Sequence, residues 1–369
     1  MNSSPAPRVR SADLSVTDSD LKRQLLDATE RVLDHGMMLL GPEVTNFEAK
    51  FAKACDMPLS VGVASGTSAV YLALKALGIG PGDEIVTTPM SWIATLNAIR
   101  ATGATPVFVD IGADLNIDAG QIETAITSRT RAILPVHFNG LLCDMPEILA
   151  IANRHRILVI EDASQAFGAR MNGIPAGGFG DAGAFSLNPM KVLHGYGEAG
   201  AVTVRSSDIQ EKIESLRYLG TINKEECLCI ELNHKIDALQ AALLSVSLDW
   251  YPQWIKVRQT NARRYFERLN GLVECPVVPD DQRHVFFAYT INCDDRDQLK
   301  DHLVANGVEA AVKHPILMPD QPAHADLPPT ELPQARRLVG RILTLPVHEK
   351  LSVDQIDYVC DCIGAFFDR

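Results

Sequence analysis

From Leu59 onward the chain alternates short apolar runs rich in β-formers with amphipathic stretches, and no other feature restricts its fold as strongly. LSVGVA leads into TSAVYLALKALG, DEIVTTP into SWIATLNAIRATG, TPVFVDI into DAGQIETAITS, and RAILPVHF into DMPEILAIANRHR. ILVIEDAS follows, and after a glycine-rich stretch come two more β-like runs, GAFSLNP and GAVTVRS. Such a series of βα units implies an α/β architecture around a parallel sheet and excludes all-α and all-β classes.

After Asp208 the pattern changes to long helical stretches, IQEKIESLRYLG and KIDALQAALLSVSLDWYPQWIKVRQTNARRYFERLNGL, the second interrupted at Pro252, where a helix end or kink is expected. HVFFAYTIN then reads as a strand and DRDQLKDHLVANG as a helix. A proline-rich loop runs from His314 to Pro333, and a final helix begins near Ser352. The expected division is a large domain over residues 1–250 and a small α+β domain over 251–369, with the first ~30 residues packing on the small one.

At 369 residues the chain is long enough for two or three domains, and 46% apolar residues suit a soluble globular protein. The 34 basic and 46 acidic residues leave a net charge of −12, which argues against a general nucleic-acid binder. No run of 18 apolar residues occurs, and the opening MNSSPAPRVRSADLS lacks the apolar core of an export signal, so cytoplasmic residence is expected and the first few positions are expected to be mobile. The eight cysteines include no C-x-x-C pair; Cys227/Cys229 and Cys360/Cys362 read as free thiols, and no metal site is expected.

Two segments match the dinucleotide fingerprint literally, Gly178-x-Gly180-x-x-Gly183 and Gly195-x-Gly197-x-x-Gly200. That fingerprint works when it opens a helix, and here each is followed by a β-like run, which disfavours an NAD-dependent oxidoreductase. A better phosphate site is VASGTSAV, where a strand ends at a tight turn through Gly66, and Thr67 and Ser68 begin a helix whose unpaired N–H groups and hydroxyls can meet an anion; an ordinary helix cap is the alternative there. ILVIEDASQA is an apolar strand ending in Glu161-Asp162, at the carboxyl end where open α/β sheets bind ligands. Lys191 stands in a glycine-rich turn flanked by Met190, Val192 and Leu193, placed for partial desolvation and hence nucleophilicity. A phosphate cradle, an acid at a strand end and a reactive lysine, in that order, fit pyridoxal 5′-phosphate, with Trp92 available to stack on the ring.

These blocks, together with ATPVFVDI, ILPVHFNGLLCDMPEI, GDAGAFSLNPMK, GEAGAV and LNHKIDALQAALL, resemble in order those of the nucleotide-sugar aminotransferase (DegT/StrS) family of fold type I pyridoxal phosphate enzymes, over about residues 36 to 365. The resemblance implies an aspartate-aminotransferase-like large domain, with a mostly parallel seven-stranded-type sheet between helices, and a smaller α+β C-terminal domain. It further implies Lys191 as the Schiff-base lysine and proton shuttle, Asp162 at the pyridine nitrogen, Gln165 at the ring hydroxyl, Trp92 on the ring face, and Gly66, Thr67 and Ser186 at the phosphate. Asn188 stands where many members carry a histidine or aromatic residue, and it belongs with the cofactor contacts. Asn233 matches the asparagine that reaches the neighbouring subunit's phosphate, so a homodimer with shared sites is implied.

The activity so implied is a ping-pong transfer of an amino group from glutamate or glutamine to a keto-sugar, nucleotide-linked in the first instance; a cyclitol ketone is the alternative acceptor. Lys191 argues against the dehydratase branch, which carries histidine there, and against a non-catalytic regulator. His137, Asn139, Arg217, Lys313 and His314 are candidates for acceptor contacts.

Overall fold

The computed structural model describes residues 7–223 and 225–368. The amino end's first six positions, part of the stretch expected to be mobile, lie outside the described residues. The core of the larger part is one seven-stranded sheet built from β1 (Leu59–Val63), β2 (Glu84–Thr87), β3 (Thr105–Phe108), β4 (Thr130–Leu134), β5 (Leu158–Asp162), β6 (Ala182–Ser186) and β7 (Gly200–Val204). Their spatial order is β1-β7-β6-β5-β4-β2-β3. Pairings from β3 through to β6 are parallel, and only β7 runs against its two neighbours. The expected α/β class and mostly parallel seven-stranded sheet are therefore present.

Both faces of this sheet are covered, which is why its strands read as continuous apolar runs. Successive residues alternate between two cores: Val86, Ile133, Val159 and Phe185 enter one, Ile85, Leu134, Ile160 and Ala184 the other. The first core is closed by α2 (Pro42–Ala54) and α5 (Met145–His155), the second by α3 (Gly66–Ala76), α4 (Ala94–Ala101) and α6 (Ser207–Arg217). The amino-terminal helix α1 (Ser19–His35) is capped by Asp18, whose side chain accepts the N–H groups of Asp20 and Leu21. Its Leu21, Leu25, Ala28 and Val32 pack on α7 (Ala238–Leu269).

Pro252 does not end that helix: α7 runs unbroken for 32 residues. Proline removes the donor for the Leu248 carbonyl but sits on an exposed side, where flanking turns packed against α1 and the first sheet core hold the rod. Position 250 falls inside α7, whose Leu244, Leu248 and Ile255 join the sheet core while Ala262, Tyr265 and Leu269 join another. That second core is built on the antiparallel pair β8 (Tyr289–Asn292) and β9 (Ile342–Leu345) with α8 (Arg296–Ala305) and α9 (Val353–Phe367), the last opened by a capping box of Ser352 and Gln355. Val9 belongs to it, exchanging backbone hydrogen bonds with Gly307 and Glu309.

Candidate functional site

Strand direction decides which residues meet. β5 and β6 are parallel, and β1, antiparallel to β7, runs the same way as β6, so the carboxyl ends of β1, β6, β5 and β2 share one edge. Val63, Gly200 and Ser186 stand side by side in register there. The chain leaves β1 through Ser65, whose hydroxyl accepts the Ser68 N–H at 3.1 Å and caps α3. Gly66 opens that helix because nothing larger fits: a Cβ would lie 2.4 Å from Ser186 Cβ. Gly200 is held to glycine likewise, since a Cβ would lie 2.3 Å from the Ser65 carbonyl oxygen. The N-terminus of α3 is thereby pressed onto the end of β6, with the Gly66 and Thr67 N–H groups placed to meet an anion.

Beside it lies a cavity of about 770 Å³, the size of a small-molecule site, lined among others by Gly66, Thr67, Trp92, Asp162, Gln165, Ser186, Asn188 and Lys191. Asp162 is 3% exposed. Its Oδ2 accepts the Thr95 hydroxyl at 2.8 Å and its Oδ1 the Ser164 N–H at 3.1 Å, two neutral donors that fix the carboxylate. Gln165 Oε1 accepts the Asn139 N–H at 2.9 Å, leaving Nε2 as the donor end of that amide. Trp92 is 63% exposed and lines the cavity, so it is not a core aromatic.

Lys191 sits in the loop between β6 and β7, where its N–H reaches the Asn188 carbonyl at 2.9 Å and Leu187 is bonded to Ala199 and Gly195. Asn188 is turned along the loop, donating to Glu198 Oε1 at 2.6 Å and accepting the Met190 N–H. The Lys191 amine lies 4.6 Å from the Phe287 ring centroid. Burial pulls its pKa down to about 8, against the opposing charges of Asp162 and Glu198.

Of the candidate acceptor contacts, Lys313 and His314 line the cavity and three do not. Arg217 is buried against Glu48 at 2.5 Å and the Gly62 carbonyl. His137 is fully buried; its Nδ1 accepts the Cys143 N–H, so its Nε2–H donates to Glu161. Glu161 also accepts the N–H groups of Gly177, Phe179 and Gly180 at 2.7–2.8 Å. The first literal fingerprint is thus a loop strapped to a buried carboxylate; Gly183 and Gly200 lie in strands, so neither fingerprint opens a helix. Asn139 acts on Gln165 from a left-handed backbone conformation, φ 56°. Asn233 is exposed, bridges to Tyr218, and does not line the cavity of its own chain. All eight cysteines are free thiols.

Sequence reasoning missed Thr95, Asn139's role toward Gln165, and Phe287. Thr95 lies one helical turn beyond Trp92, and only the packing of α4 on the sheet brings it to Asp162; nothing local in HVFFAYTIN marks Phe287 as a cavity residue. A helix N-terminus with adjacent hydroxyls, a fixed carboxylate, an amide donor, an exposed indole and a desolvated amine form a donor set that suits a phosphate-bearing pyridine aldehyde.

Residues 19–364 match the DegT/DnrJ/EryC1/StrS aminotransferase family. The chain is 38% identical over 368 residues to dTDP-3-amino-3,4,6-trideoxy-alpha-D-glucose transaminase of Streptomyces venezuelae, covering 98% of this chain and 97% of that one. It is 36% identical over 362 residues to a pleiotropic regulatory protein of Geobacillus stearothermophilus, covering 96% and 97%. Among solved structures, S. venezuelae DesV superimposes with a TM-score of 0.95 at 38% identity, over 99% of this chain and 100% of that one. The chain belongs to the DegT/DnrJ/EryC1/StrS aminotransferase family and is a pyridoxal phosphate-dependent aminotransferase.

Proposed function

We propose that the protein moves an amino group from glutamate or glutamine to the carbonyl of a nucleotide-linked keto-sugar, in two half-reactions on one cofactor. The observation that carries this reading is the desolvated Lys191 amine opening on the same cavity as Asp162 and the N-terminus of α3. The transaminase name of the S. venezuelae relative supports a sugar acceptor.

Bound pyridoxal phosphate supplies an aldehyde that captures amines and a ring that accepts an electron pair. The residues do the rest. Lys191 would hold the group at its aldehyde carbon, release it to the donor's amine, and take the proton off the donor's Cα. Asp162, fixed in place by Thr95 and the Ser164 N–H, would hold a proton on the ring nitrogen. Gln165 would donate to the ring oxygen, Trp92 would cover the ring face, and Gly66, Thr67 and Ser186 would take the phosphate, with Asn188 ordering the lysine loop. In the second half-reaction Lys191 returns a proton to the carbon that carried the sugar carbonyl.

Asn233 belongs to the same proposal. It follows Leu228, Ile230 and Leu232, exposed by 59, 96 and 69%, an apolar edge that a second copy would cover while Asn233 reached that copy's phosphate site. No helix among the described residues is long and apolar enough to cross a membrane; we place the protein in the cytoplasm.

The test is the visible spectrum of the pyridoxal phosphate-loaded enzyme. Glutamate or glutamine should bleach the cofactor band, and a panel of keto-sugar nucleotides and inososes should restore it, the nucleotides at the lowest concentrations. A protein that restores its band only with an inosose would replace the nucleotide reading by a cyclitol one. A Lys191→Ala variant that still turned over would remove Lys191 from its role.

A further inference from the structure

A second amine opens on the cavity. Lys313 Nζ stands 4.5 Å from the Phe287 ring centroid, the ring that Lys191 approaches at 4.6 Å, so the two amines are separated by no more than the sum of those distances. Lys313 lines the main cavity and, with Lys191 and Arg258, a smaller one of about 90 Å³. Its backbone is anchored: His314 follows in a left-handed conformation at φ 54°, with its ring against Phe138 and Trp92 at 5.6 and 6.1 Å.

What Lys313 lacks is an anion. Among the described residues no carboxylate pairs with it, and its charged neighbours are the cations Lys191 and Arg258. Arg258 is committed to Glu349 at 2.9 Å and to the Phe286 carbonyl at 3.1 Å, whereas Lys191 has Asp162 and Glu198 within electrostatic reach. Burial and the two neighbouring cations pull the Lys313 pKa to about 8. The Phe287 ring attracts the ammonium without neutralising it. A partly buried cation facing other cations is unfavourable unless a ligand brings the counter-charge.

We propose that Lys313 receives the α-carboxylate of the amino donor, and of the keto acid it becomes. This rests on the amino-donor reading above. A donor must present its amine where Lys191 held the cofactor, and its α-carboxylate is bonded to the same carbon as that amine, which brings the anion next to Lys191. The diphosphate of a nucleotide-linked sugar is separated from the reacting carbonyl by several bonds of the ring, and fits this position less well.

The test uses the pyridoxal phosphate-loaded full chain as wild type, Lys313→Met, Lys313→Gln and Lys313→Arg. Calorimetry measures the Kd of glutarate, a dicarboxylate with no amine to react, and of dTDP; the cofactor band reports the glutamate or glutamine concentration for half-bleaching. Loss of one charged hydrogen bond should weaken glutarate about 10- to 100-fold in Lys313→Met and Lys313→Gln, and raise the half-bleaching concentration similarly. Lys313→Arg should retain most of the affinity, and dTDP should bind all four alike. Unchanged glutarate affinity in both neutral variants, no glutarate binding by the wild type, or a loss confined to dTDP would each overturn the assignment. If neither donor bleaches the wild type, the donor reading fails on its own, while the glutarate series still shows whether Lys313 holds a carboxylate. Circular dichroism of the Met and Gln variants, matched to Lys313→Arg, separates a lost contact from a lost fold.

Discussion

Gly66→Ala isolates the close approach between the start of α3 and Ser186 at the end of β6. The new Cβ would lie 2.4 Å from Ser186 Cβ, 2.9 Å from Ser186 Cα and 3.0 Å from Ser186 Oγ. Carbon atoms in contact sit at about 3.5–4.0 Å, so the start of α3 and the end of β6 must part by roughly 1 Å. Overpacking of this kind costs about 1–3 kcal/mol. The opposing gain from replacing glycine by alanine in a helix is at most about 1 kcal/mol, and less at a first-turn position. The packing term prevails, and α3 moves off the strand that its N–H groups share with Ser186. Urea denaturation should show a loss of about 1–2 kcal/mol, and pyridoxal phosphate titration should show weaker binding. Adding Ser186→Gly removes two of the three short contacts, so the double variant should recover at least about 1 kcal/mol relative to additivity. Wild-type stability in Gly66→Ala, or strictly additive losses, would refute the close-approach argument.

Three further outcomes follow from the same geometry. With its pKa drawn to about 8 by burial, Lys191 should capture pyridoxal phosphate, trapped by borohydride in the cofactor-free protein, with an inflection near pH 8; one above pH 10 would show a solvated amine. Lys191 and Lys313 both have folded pKa values of about 8 against 10.5 for an unperturbed lysine, so between those pH values the unfolded chain holds protons that the folded chain has released, and stability from these groups rises with pH. Urea melts at two pH values inside that window should show this rise in the wild type and its loss in a Lys191→Met/Lys313→Met variant; an equal rise in both would contradict it. Glu161→Gln should cost about 3 kcal/mol or more, because each Glu161 oxygen accepts two hydrogen bonds and the new NH₂ must face two donors; a urea shift under about 1 kcal/mol would exclude the strapping role.

The fold was legible where burial acts on every residue of a strand. ILVIED and RAILP carry apolar side chains at successive positions because the sheet has a core on each face, and neither a surface helix nor a half-exposed strand produces that run. The direction of β7 was not legible: GAVTVRS has the composition of a parallel strand, but the lysine loop forms no crossover helix and returns the chain antiparallel beside β6. Pro252 misled for a related reason. Its local cost is one hydrogen bond, while α7 is held along its length by three hydrophobic clusters, so tertiary packing outweighs the local signal.

For the site, residues at strand ends were legible and residues brought from elsewhere were not. Gly66, Asp162, Ser186 and Lys191 follow the carboxyl ends of strands or the loops after them, and a parallel sheet gathers such positions at one edge. Phe287 comes from a segment whose approach depends on how the second core docks, which no local pattern encodes. In the acidic pair Glu161-Asp162 the pleat separates the two side chains. Successive residues of a strand point to opposite faces, so two adjacent carboxylates cannot both look into one cavity. Asp162 takes the cavity with Thr95 and Ser164; Glu161 takes the opposite face with His137 and three loop N–H groups. The pleat turns one carboxylate to the cavity and the other to the loop after β5, and that loop leads the chain into β6 and on to Lys191.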